Sequence, residues 1–199
     1  MRKFACLLLA LALLAPCAAR GELMDAALET APPIPLLCES AVLVEPESGQ
    51  ILFEQTADER RPVASVTKVM AILLALEALE AGRATLEDPV PVSQTAAGMG
   101  GSQVLLDAGE TLPFETLLKS MIVGSANDAT VAIGEYLYGS HQLFVDRMNE
   151  RAQELGMADT HFVNSTGLPA EGHYTTARDV ARMTVEMLKH PLYFEYSTI

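Results

Sequence analysis

A chain of 199 residues, half of them hydrophobic, has the length and apolar content to bury the core of one globular domain. Its 13 basic residues against 26 acidic ones give a formal charge of −13, so it lacks the broad cationic face that neutralises nucleic-acid phosphates. Disorder and nucleic-acid binding are therefore poor readings of this composition.

The chain opens with Met1-Arg2-Lys3, continues with an apolar run from Phe4 to Ala15, and reaches Pro16-Cys17-Ala18-Ala19. These are the three regions of a secretory signal, which predicts an exported protein cleaved after Ala19. The run is shorter than the roughly 20 residues a membrane-spanning helix needs. Lipid attachment at Cys17 is the alternative, although Pro16 stands where such signals take a small residue. Removing residues 1–19 leaves 11 basic against 26 acidic residues, or −15, and Cys38 as the remaining cysteine. An internal disulfide is then ruled out, and Cys38 is expected to be a buried, inert thiol.

Residues 20–39, with Pro32-Pro33-Ile34-Pro35, read as an extended leader, and the folded domain is expected over 40–199. Ala41–Val44 and Gln50–Phe53 are β-rich runs separated by Pro46-Glu47-Ser48-Gly49, which predicts a hairpin. Pro62 and Gly82 bracket a helix over 64–81 whose apolar residues go nearly all round, a pattern that belongs in the middle of a domain. The cluster Gly98-Met99-Gly100-Gly101-Ser102 reads as loop, with a short strand at 104–106. It lacks the third glycine of a dinucleotide fingerprint. Helical spacing returns over 113–123, 127–138 and 143–155. Thr176 is positioned to cap a last helix to about Lys189, with Pro191 beyond its end.

Within the apolar helix, Ser65-Val66-Thr67-Lys68 stands out. A serine hydroxyl becomes a strong nucleophile when a base takes its proton, and lysine serves as that base when burial lowers its pKa. Residues three apart on a helix share a face, so Ser65 and Lys68 are within reach of each other. The competing explanation is a capping serine and a lysine that snorkels to solvent. Gly124-Ser125-Ala126-Asn127 lies between two apolar helices, where Ser125 or Asn127 again has capping as its plainer role.

Ser65-x-x-Lys68 followed about sixty residues later by Ser125-x-Asn127 resembles the serine penicillin-recognising enzymes. Ala64–Met70, Ser125–Ala129, Thr160–Leu168 and Tyr174–Asp179 narrow the resemblance to the D-alanyl-D-alanine carboxypeptidases. The resemblance implies an α/β (α+β) penicillin-recognising transpeptidase fold, represented here by its helical part and an N-terminal hairpin. It also implies cleavage of the terminal D-alanine from peptidoglycan stem pentapeptides through an acyl-enzyme, with β-lactams as covalent inhibitors. Carried over by position, Ser65 is the nucleophile and Lys68 the general base. Ser125 relays a proton, Asn127 binds substrate, and the Ser65 N–H forms half of an oxyanion hole. His161 and His173 have no metal-like spacing and are expected to be structural. No cofactor or metal is called for.

The family's third motif, Lys-Thr-Gly, does not occur in these residues. The expectation is therefore the N-terminal part of a longer protein or a truncated gene product: an incomplete catalytic domain from which the family's C-terminal membrane anchor is also absent. A class A β-lactamase needs a glutamate with asparagine four residues on, and no glutamate here has one. The remaining rival is a non-catalytic wall-binding or regulatory module.

Overall fold

The computed structural model describes residues 36–199; the expected signal over 1–19 and the leader as far as residue 35 lie outside the described residues. The predicted hairpin forms from β1 (Ala41–Val44) and β2 (Ile51–Gln55), antiparallel with Leu43 opposite Phe53. Its turn is held by the Glu45 carboxylate, which accepts from the Ser48 N–H at 2.6 Å and the Glu47 N–H at 3.1 Å. Arg178 pairs with both Glu54 and Asp58 at the far end of the hairpin. Cys38, just ahead of β1, is exposed rather than buried. The Gln55 side-chain amide donates to the Cys38 carbonyl at 2.7 Å.

The central helix starts differently from the sequence expectation. Ala64–Thr67 form a 3-10 turn and only then does α1 (Lys68–Glu80) begin. Ala64 has φ +43°, which breaks the helical path immediately before Ser65, and a tight turn accommodates the change. Met70, Ala71, Leu73, Leu74 and Ala75 are completely buried, as an all-round apolar helix requires.

Beyond α1 come β3 (Pro89–Pro91), the short α2 (Gln94–Ala97) and β4 (Thr111–Pro113), with β3 and β4 paired antiparallel. The expected strand at Val104–Leu106 is absent. The Val104 and Leu106 N–H groups donate instead to the buried Asp128 carboxylate at 3.1 Å, and so have no ladder to join.

The remaining helices are α3 (Phe114–Gly124), α4 (Asn127–Tyr138), α5 (His141–Glu154), α6 (Ala177–Met187) and α7 (Pro191–Ser197). Thr176 caps α6 by accepting from the Asp179 N–H, as its position predicts. Pro191 was expected to follow the last helix; it opens α7 instead, where its missing N–H costs nothing. Phe114, Leu117, Leu118, Ile133, Phe144, Met148 and Met183 converge on α1 in one core. Each such side chain contributes about 1.5–3 kcal/mol by leaving water. No helix among the described residues is long and apolar enough to cross a membrane.

Candidate active site

The 3-10 turn presents Ser65 at the surface and directs Lys68 inward, where it is only 2% exposed. The Lys68 ammonium donates to Ser65 Oγ at 3.3 Å and to the Thr166 carbonyl at 2.9 Å. Burial pushes its pKa down to about 8 from an ordinary value of 10.5. Ser65 does not cap the helix and Lys68 does not reach solvent, so neither feature of the plainer explanation is seen.

Thr166 belongs to a loop whose shape is set by one side chain. Asn164 Oδ1 accepts from the N–H groups of Thr166 at 3.1 Å and Gly167 at 2.7 Å, and its Nδ2 donates to the Leu168 carbonyl. Ser165 Oγ meets His141 Nε2 at 2.9 Å. Gly167, at φ +82°, lies directly against the Ala64–Ser65 peptide: a Cβ there would stand 1.8 Å from the Ala64 carbonyl oxygen and 3.0 Å from the Ser65 nitrogen. Only glycine permits this approach, and it is what brings the Thr166 carbonyl over Lys68.

Ser125 and Asn127 sit on the turn between α3 and α4. Ser125 ends α3 in the left-handed conformation, φ +52°, and its hydroxyl makes no hydrogen bond among the described residues. The N-cap of α4 is Ala126, so neither Ser125 nor Asn127 has the capping role. Asn127 is 3% exposed and is anchored to the glycine-rich loop: its Nδ2 donates to the Gly100 carbonyl at 2.6 Å and its N–H to the Ser102 carbonyl at 2.7 Å. Asn127 Oδ1 is buried with no hydrogen-bond partner among the described residues. The structure thus joins Ser65 and Lys68 directly. It shows no hydrogen bond from either to Ser125 or Asn127 among the described residues.

His161 is exposed, with Nδ1 at 2.8 Å from the Gly172 carbonyl and its backbone bridged to Tyr174. His173 is buried, with Nε2 2.7 Å from Thr67 Oγ1 and Nδ1 receiving the Val163 N–H at 3.1 Å. The sequence had pointed to neither Asn164, Thr166, Gly167 nor Asp128 as support for the site.

A serine paired with a desolvated lysine one turn on, carried by a helix buried among others, defines the class of the penicillin-binding serine hydrolases, and the fold agrees. The chain superposes on D-alanyl-D-alanine carboxypeptidase DacD from Francisella tularensis with a TM-score of 0.80 at 36% identity, covering 82% of this chain and 40% of that one. Against penicillin binding protein 5 from Haemophilus influenzae the TM-score is 0.78 at 31% identity, covering 81% and 48%. The chain belongs to the D-alanyl-D-alanine carboxypeptidase family, whose model matches residues 27–199. It is 45% identical to D-alanyl-D-alanine carboxypeptidase DacF of Bacillus subtilis over 152 residues, 76% of this chain and 39% of the relative. It is 37% identical to DacA of Escherichia coli K12 over 149 residues, 72% of this chain and 37% of that protein. The chain therefore spans about two fifths of the length of these relatives.

Proposed function

We propose that this chain carries the acylating centre of a serine D-alanyl-D-alanine carboxypeptidase that trims peptidoglycan stem peptides and is acylated by β-lactams. The observation that carries the reading is the Ser65–Lys68 hydrogen bond beside a lysine whose pKa burial lowers to about 8. The Ser65 hydroxyl proton passes to neutral Lys68 Nζ as Oγ attacks the carbonyl carbon between the two terminal D-alanines. The tetrahedral oxyanion receives the Ser65 N–H as half of its hole. Its collapse breaks the C–N bond. The Lys68 proton reaches the departing D-alanine amine through the Ser125 hydroxyl, which makes no hydrogen bond among the described residues. Water then cleaves the Ser65 ester, releasing the shortened stem and restoring the hydroxyl.

Asn127 is assigned the orienting of the bound stem peptide through the Ser125-x-Asn127 motif of the family, and its side chain is held in place by the Gly100 carbonyl. The sequence pattern of residues 1–19 supports export, which puts the enzyme at the outer face of the cytoplasmic membrane or in the periplasm, acting in cell-wall and cell-shape maintenance. A second reading, a wall-binding module that turns nothing over, draws on the lack of a hydrogen bond from Ser65 or Lys68 to Ser125 or Asn127 among the described residues.

D-alanine release from a peptide ending in Lys-D-Ala-D-Ala separates the two. The proposal expects time-dependent release that exceeds one D-alanine per native chain and none by Ser65→Ala. Retention of the peptide by both proteins without release would favour the binding module.

A further inference from the structure

For Ser65 and Lys68 to share a proton, two segments distant in sequence must keep their places: the 3-10 turn that carries the pair, and the 163–168 loop that closes over Lys68. The Asn164 hydrogen bonds shape the loop from within but do not tie it to the turn. Gly167 against the Ala64–Ser65 peptide and Thr166 over Lys68 join the two at the far end of the loop; at its start the link is an imidazole. His173 is 7% exposed and packs at a tilt of 57° against the buried Phe162 ring, 5.8 Å between centroids. Its Nδ1 receives the Val163 N–H at the start of the loop, so the ring proton resides on Nε2. That N–H then donates to Thr67 Oγ1, 2.7 Å away, on the completely buried residue immediately before Lys68.

We propose that His173 is a positioning residue for the serine–lysine pair: its ring bridges the loop to the nucleophile turn and so keeps water from the Lys68 amine. The causal chain is short. The low pKa of Lys68 comes from burial, the loop supplies that burial through the Thr166 segment, and His173 fastens the loop at Val163. Loosening the bridge lets water solvate the ammonium and returns Lys68 toward the ordinary lysine range. A histidine that merely satisfied polar groups would, on removal, lower stability and leave Lys68 unchanged. The inference rests on the Ser65–Lys68 reading given above, and it is tested so that the two can fail separately.

The experiment compares the native chain with His173→Gln and His173→Ala. Glutamine offers one acceptor and one donor on a side chain of similar reach and does not titrate. Two-bond proton–nitrogen spectra report the imidazole tautomer, and the Lys68 ε-methylene carbon shift followed against pH reports its pKa. The native protein is expected to show the Nε2–H tautomer. His173→Ala is expected to raise the Lys68 pKa by about one unit, which lowers fluorescent-penicillin labelling at pH 7 about tenfold because fewer amines are neutral. His173→Gln is expected to keep both within about twofold of native. An Nδ1–H tautomer, or a Lys68 titration unmoved in His173→Ala, overturns the proposal. If His173→Ala does not fold, the native tautomer and the Gln variant decide it, and a Gln variant with Lys68 raised as far as expected for Ala also overturns it. A native chain that takes up no penicillin refutes the function proposed above, while the Lys68 titrations still decide the role of His173.

Discussion

On the proposed mechanism the protonation state of Lys68 sets how fast Ser65 is acylated, and its lowered pKa fixes the expected size of the effect. With a pKa of about 8, about one tenth of the lysine is neutral at pH 7; at its ordinary 10.5 the fraction is about three in ten thousand. Burial alone thus supplies a roughly 300-fold gain in available base. Because the neutral amine is the base, acylation rises with pH. The second-order rate constant for a fluorescent penicillin, followed by stopped flow at constant ionic strength, is expected to increase about ninetyfold from pH 6 to pH 9 and to level off above pH 9. Lys68→Ala is expected to remove this limb and lower the rate at pH 8 by at least about a hundredfold. A midpoint near 10.5, or rates at pH 6 and 9 within twofold, would refute the reasoning.

Gly167→Ala forces a Cβ onto the Ala64 carbonyl at φ +82°, and urea denaturation is expected to show a loss of about 3 kcal/mol; a change below about 0.5 kcal/mol would contradict the close approach. Asp128→Ala leaves the Val104 and Leu106 N–H groups without their acceptor, so their amide exchange is expected to accelerate as stability falls by about 2–3 kcal/mol. Unaccelerated exchange at both amides would show that Asp128 does not hold that segment. Burial lowers the pKa of His141 and of His173, so the folded protein favours their neutral forms while the unfolded chain takes up protons below 6.5. Their contribution is present in full above pH 6.5 and is lost as pH falls toward the folded values, with a slope of at most about 1.4 kcal/mol per pH unit for each. Stability unchanged between pH 7 and pH 5 would exclude it.

The parts of the site that were legible in the sequence are those where a polar side chain interrupts an apolar pattern. Ser65 and Lys68 stood out because α1 has no polar face of its own, and Ser125 and Asn127 because they separate two apolar helices. Other parts have no side-chain signature. The acceptor that holds Lys68 is the Thr166 backbone carbonyl, and the space for it depends on what Gly167 lacks. The false strand at Val104–Leu106 arose because local β preference cannot register the Asp128 carboxylate, 24 residues from Val104 and 22 from Leu106, that captures the same N–H groups. His173 was read as structural; its partners at Thr67 and Val163 give that reading a location beside the nucleophile. The shifted helix start is equally invisible locally: Ala64, at φ +43°, lies against Gly167, a contact made between segments far apart in sequence.

The central claim, that Ser65 is the nucleophile activated by Lys68, is tested most directly by intact-mass and peptide mapping after exposure to a β-lactam. The account predicts one adduct per chain, on the peptide containing Ser65, and none on Ser65→Ala. An adduct on another residue, or equal labelling of the Ser65→Ala variant, would contradict it.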